Sequence, residues 1–131
     1  MRVLARIVNW NDCPADIRPY TLESQTFLTV KQEYEVYALA VFEGQTLLQV
    51  VNDLKLPSWC SWWLFDVTNT TIPDDWVCTL LHDEPSMVLG PEFIARDEAS
   101  YGAMVELEAD AVDLFWKRVD SLRQQEQSET E

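Results

Sequence analysis

The stretch Tyr34-Glu35-Val36-Tyr37-Ala38-Leu39-Ala40-Val41-Phe42, followed by Glu43-Gly44 and then Thr46-Leu47-Leu48-Gln49-Val50-Val51, decides the fold class. Aromatic and β-branched residues crowd both runs, a composition that fits a pleated, half-buried surface. Between them Gly44 can take positive φ without a Cβ clash, so Glu43-Gly44 supplies a tight turn. The two runs read as a β-hairpin.

Working outward, Arg2 to Val8 reads as a strand, and Asn11, Asp12, Pro14, Asp16 and Pro19 mark a long loop ending near Gln25. Phe27, Leu28 and Val30 form a short run. Beyond the hairpin, Asn52-Asp53, Pro57 and Ser58 mark a connection, and Ser58-Trp59-Cys60-Ser61-Trp62-Trp63-Leu64-Phe65-Asp66-Val67 reads as one strand. Thr68 to Asp75 turns the chain into a further strand, Trp76 to Leu81. Short strands at this spacing predict a small, bent antiparallel sheet or an SH3-like β-barrel.

The period then changes. Gly90-Pro91 ends the strand pattern, with Pro91 suited to start a short helical turn containing Phe93 and Ile94. A helix starts near Asp97, weakened by Gly102. A second runs from about Glu108 to Arg123, where Val112, Phe115, Trp116, Val119 and Leu122 recur as the stripe of one helix face. The expected class is α+β, with the C-terminal helices packed on the sheet. A single domain spans 1–123, and the polar residues 124–131 fray.

At 131 residues and 47% hydrophobic, the chain is long enough to bury roughly two thirds of its unfolded surface. Cys13, Cys60 and Cys78 are odd in number and show no C-x-x-C spacing, which fits a reducing cytoplasm better than a disulfide framework. Arg6 and Asn9 interrupt the N-terminal apolar run, so no signal peptide is expected. No stretch approaches the ~18 apolar residues of a membrane helix.

Charge is the sharpest global feature: 23 acidic against 9 basic residues, a formal net charge of -14. That balance repels nucleic-acid phosphate and anionic lipid. From Gln32 to Ala95 the only basic residue is Lys55, against ten acids, and Asp97 to Asp113 adds six acids and no base. Such a surface either keeps the chain soluble or draws in a basic protein.

Catalytic signatures are weak. His82 follows Cys78 by four residues and precedes Asp83 and Glu84, but nothing resembles a nucleophile elbow. Cys60, Cys78, His82 and Asp83 are chemically able to bind zinc, yet their spacing does not specify a site. Asp74-Asp75 and Asp83-Glu84 lack a calcium-loop pattern. With three glycines, the chain has no phosphate-cradling loop. No cofactor, metal or enzymatic activity is expected.

Alternation along Trp59 to Val67 puts Trp59, Ser61, Trp63, Phe65 and Val67 on one face and Cys60, Trp62, Leu64 and Asp66 on the other. Trp63, Phe65 and Val67 are the better core set. Trp62 shares its face with Asp66 and is the expected surface ring, joined at the loop edge by Trp59. Aromatic anchors rimmed by charge are the energetic anatomy of a specific interface. The expected partner-binding residues are Trp59, Trp62, Asp53, Asp66, Asp74, Asp75, Asp83 and Glu84. A second reading places a peptide groove between Trp62, Trp59 and Tyr37, as in an SH3-like adaptor.

The strings Leu28-Thr29-Val30-Lys31-Gln32-Glu33-Tyr34-Glu35-Val36-Tyr37-Ala38, Trp63-Leu64-Phe65-Asp66-Val67 and Ile72-Pro73-Asp74-Asp75-Trp76 resemble bacterial immunity proteins. These are the antitoxin partners of polymorphic-toxin and contact-dependent growth inhibition systems. The likeness runs roughly from Phe27 to Trp116, and it departs at Lys31-Gln32, where a Gly-Lys turn is expected. It implies a cytoplasmic, non-enzymatic protein that binds and blocks one cognate toxin; a basic, nuclease-type toxin suits the charge. It carries over no site residues.

Overall fold

A computed structural model describes residues 1–6 and 27–130. The expected loop of Asn11 to Pro19, Cys13 and the end of the first strand at Ile7-Val8 lie outside the described residues. Strands β1 (Arg2–Ala5), β2 (Glu33–Glu35) and β6 (Phe65–Asn69) form an antiparallel sheet of order β2-β1-β6. Strands β3 (Ala38–Phe42), β4 (Gln45–Val51), β5 (Pro57–Ser61), β7 (Trp76–Leu80) and β8 (Met87–Pro91) form a second of order β5-β4-β3-β8-β7. Helices α1 (Glu92–Ala95), α2 (Glu98–Val105) and α3 (Ala109–Thr130) follow. The class is α+β, and neither sheet closes. The SH3-like barrel therefore gives way to two open sheets.

The expected hairpin is β3–β4. Glu43 and Gly44 take φ of 50° and 78°, the two positive values of a type I′ turn, whose twist matches that of the flanking strands. The long run 34–42 is nevertheless divided. Val36-Tyr37 carries the chain from one sheet to the other, so β2 and β3 belong to different layers. Lys31, where the resemblance led us to expect glycine, has φ 68°.

Two cores result. Val3, Ala5, Tyr34 and Phe65 from the three-stranded sheet meet Leu48, Val50 and Cys60 from the larger one. On the opposite face of the larger sheet, Ala38, Ala40 and Val88 meet Ile94, Met104, Phe115 and Val119 from the helices. The order is small sheet, large sheet, helices. The neighbouring strands β3 and β8 approach closely, since a Cβ at Gly90 would lie 2.8 Å from that of Ala38. Gly90-Pro91, read as a strand breaker, thus ends a strand that needs its glycine.

Ser58 to Val67 is not one strand. A 3₁₀ turn over Trp62–Leu64, capped by the Ser61 hydroxyl accepting from the Trp63 amide at 3.3 Å, separates β5 from β6. The turn resets the alternation: Leu64 and Phe65 are both buried, while Trp62 is 47% exposed and Asp66 is exposed. Trp63 is half-buried, with the Arg6 guanidinium 4.9 Å from its ring. Val67, expected inward, is 51% exposed. It lies on outer strand β6, at the edge of the small sheet, while its register partner Val3 is buried in the inter-sheet cluster.

The helices follow their sequence signals at their starts. Asp97 caps α2 by accepting from the Ser100 amide at 2.8 Å. The end of α2 is a Schellman motif: the Leu107 amide donates to Met104 O, and that of Glu108 to Ala103 O. Leu107 fills its left-handed position at φ 54°, where glycine is the usual occupant. Leu107→Gly is expected to stabilise the fold by about 0.5–1 kcal/mol in urea unfolding, because the Cβ strain relieved exceeds glycine's extra chain entropy.

Helix α3 buries Phe115 and Val119 from the expected stripe. It does not end near Arg123. The helix continues through residues 124–130, which suits their glutamine and glutamate content, and Glu126 is ion-paired to Arg2. No helix among the described residues is long and apolar enough to cross a membrane.

Candidate protein-interaction face

The eight expected site residues do not form one patch. Register places the β3–β4 turn, the β7–β8 loop with Asp83 and Glu84, and the β5 exit into Trp62 at one end of the large sheet, since Leu47 pairs with both Ala40 and Ser61 and Met87 with both Val41 and Leu80. Asp53 in the β4–β5 turn and Asp74-Asp75 before β7 lie at the opposite end. Asp66 occupies the outer face of the small sheet, opposite Leu4.

Three of the carboxylates are held internally. Asp53 accepts from the Thr29 hydroxyl at 2.6 Å and the Tyr34 hydroxyl at 2.8 Å, joining residues 27–31 to the β4–β5 turn. Asp75 receives both terminal nitrogens of Arg118, one at 2.7 Å. Glu84 accepts the Glu43 amide at 2.8 Å, tying the two loops of its end together. Asp66, Asp74 and Asp83 are exposed and unpaired among the described residues.

The aromatic residues separate as well. Trp59 is half-buried against α2, its ring centroid 5.3 Å from that of Tyr101. Tyr37 is 8% exposed, edge-on to Phe115 at 5.1 Å. Trp62 alone of the three stands at the surface, so no common groove joins them.

At the Trp62 end, between the β7–β8 loop and α2, lies a shallow groove of about 730 Å³. Pro85, Tyr101 and Val105 line it with apolar surface, and Glu84, Asp97, Glu98 and Glu106 surround them; among the described residues no basic side chain lines it. Two hydrogen bonds from Ser100, the backbone amide first, hold the Asp97 carboxyl below the ordinary carboxylate range. Arg96 sits 3.7 Å from Asp97. Of these groove residues sequence reasoning selected only Glu84. The others were visible as the acidic run after Asp97, but their convergence on Glu84 is tertiary.

No protein-family model, curated protein or solved structure matches the chain. The site must therefore be read from its own chemistry.

A larger cleft, about 1010 Å³, separates the small sheet from α3. Arg2 bridges it to Glu126 while also meeting Glu35 at 3.2 Å, and Arg118 bridges it to Asp75. The first ties α3 to the small sheet and the second ties it to the β6–β7 connection. The thiols and the imidazole considered for catalysis lie apart from both hollows: Cys60 is fully buried, with burial pushing its thiol up to about 11, which leaves it protonated at neutral pH. Cys78 is mid-strand in β7 and His82 is exposed in the following loop. Among the described residues no three His, Cys, Asp or Glu side chains are grouped to hold a metal ion.

Proposed function

We propose that this protein is an immunity-type inhibitor that binds and neutralises one basic bacterial toxin domain, of nuclease type, through its acidic end. The observation that carries the reading is the groove at α2: apolar in its floor, enclosed by four carboxylates and, among the described residues, lined by no base, in a chain of net charge -14. A toxin domain built to grip phosphate presents lysines and arginines, and a face of this charge speeds its capture and excludes anionic competitors. Tyr101 and Val105 supply apolar contact within the acidic rim. Trp62 stands at the same end, at the exit of β5, whose Trp59 packs on the groove residue Tyr101 with ring centroids 5.3 Å apart. An interface of ordinary size buries roughly 800 Å² per partner, enough to take in both the groove and Trp62.

The test is co-expression with the product of the adjacent upstream reading frame, followed by purification in low salt. The expected result is a stoichiometric complex that loosens as salt rises and a partner whose toxicity is suppressed. Absence of association in low salt contradicts the reading.

A further inference from the structure

Strand β7 is an outer strand of the large sheet. Its inner side is paired with β8 from Trp76–Pro91 to Leu80–Met87 without a bulge, and no described strand pairs with its outer side. Such an edge presents unpaired N–H and C=O groups, which proteins ordinarily guard with charge, proline or a bulge. Trp76-Val77-Cys78-Thr79-Leu80 contains none of these. Instead Leu80 is 77% exposed and Val77 39%. The small sheet covers the large one over β4 and β5, with Leu39 of β3 and Trp76 at the start of β7 packed at the margin of that cluster. On that same face the row Leu39–Leu89–Cys78 and its neighbour Met87–Leu80 run outward to the open edge.

Acids bracket the strand, Asp74 and Asp75 before it and Asp83 and Glu84 after it. Asp75 is held by Arg118 and Glu84 by the Glu43 amide, while Asp74 and Asp83 are unpaired among the described residues. This arrangement selects the occupant. A second copy pairing antiparallel would set the acids of one end against those of the other, and a parallel copy would set like against like. Either way like charges face each other at both ends, which is destabilising. An extended strand with cationic ends meets no such penalty.

The geometry points to β7 as the acceptor for one extended strand of a basic protein, added in the manner of β-augmentation. Apolar residues of that strand lie alternately over Leu80 and Cys78, and its lysines or arginines reach Asp74 and Asp83. This rests on the reading of the chain as a binder of a basic domain and names how that domain is gripped. Glu84, shared by the β7–β8 loop and the groove, makes the two surfaces continuous.

The probe is the peptide Lys-Lys-Thr-Val-Thr-Val-Thr-Lys-Lys, with one control carrying proline at its centre and another carrying glutamate at its ends. Titration calorimetry and amide hydrogen exchange give the readouts. The expected result is protection of residues 76–80 by the basic peptide alone. Leu80→Lys is expected to weaken binding at least tenfold, and Asp74→Asn and Asp83→Asn several-fold each, more in low salt. Leu80 is exposed enough that its replacement leaves the fold intact, and thermal unfolding checks this. Should that variant unfold, the Asp74→Asn/Asp83→Asn double variant gives the same readout. Binding that is insensitive to these changes or protects another segment overturns the inference, as does a dimer by sedimentation that Leu80→Lys abolishes. If the co-expressed partner binds Leu80→Lys as tightly as the unaltered chain, the strand inference falls while the inhibitor reading stands. If the peptide protects β7 but no partner associates in low salt, the inhibitor reading falls and the edge remains an acceptor of basic strands.

Discussion

Replacing Phe115 by alanine is expected to remove about 3–5 kcal/mol of folding free energy. The ring has no exposed surface and joins α3 to the large sheet, edge-on to Tyr37 at 5.1 Å and to Trp116 at 5.4 Å. Truncation forfeits the transfer of the ring from water, both edge contacts and the packing of a cavity that Ala38 and Ala40, each a single methyl, are too small to fill. A domain of this size is typically stable by about 5–15 kcal/mol, so the loss is a large share of the whole. The midpoint of urea unfolding falls with little change in slope, and Tm drops by roughly 10–20 °C. A loss below about 1 kcal/mol would mean that α3 does not pack on the sheet as described.

The second large effect is alkaline. Burial pushes the Tyr37 hydroxyl from 10.0 up to about 12 and the Cys60 thiol from 9.0 up to about 11, the latter drawn back in part by its hydrogen bond to Ser58. Both groups hold their protons more tightly folded than unfolded. Their contribution is therefore complete below the unfolded values, 9.0 and 10.0, and is lost as pH climbs to about 11 and 12. At about 1.4 kcal/mol per pKa unit, each group removes on the order of 2–3 kcal/mol. Burial also raises Tyr34 and Tyr101, which adds in the same direction. Stability measured by urea titration should fall steadily above pH 9. Tyr37→Phe should flatten the part of that fall above pH 10, and an unchanged slope would contradict the burial of the hydroxyl.

Which features were legible in the sequence follows from how local their causes are. The Phe115 stripe is a property of one helix, and Glu43-Gly44 carries its turn geometry in two residues, so both could be read directly. The division of 34–42 could not, because Tyr34 and Ala38 serve different cores and only the second sheet reveals it. Gly90 misled for a related reason: its missing Cβ serves a contact with Ala38, distant in sequence. Among the site residues, the exposure of Trp62 was foreseen, though it arises from a 3₁₀ turn rather than strand alternation. Asp53 and Asp75 stand among the expected partner-binding acids, and each has a side-chain partner within the fold. Their actual partners, Tyr34 and Arg118, lie 19 and 43 residues away. The groove at α2 needed Glu84 and Glu106 brought together, which no local pattern encodes.

The acidic end as the binding face is tested most directly by amide hydrogen exchange on the complex with the co-expressed basic domain. The expected footprint protects the β7–β8 loop, α2 and the amides of β7, together with those around Trp62. Protection confined to the cleft beside Arg2, Arg118 and Arg123, with the acidic end exchanging as in the free protein, would contradict it.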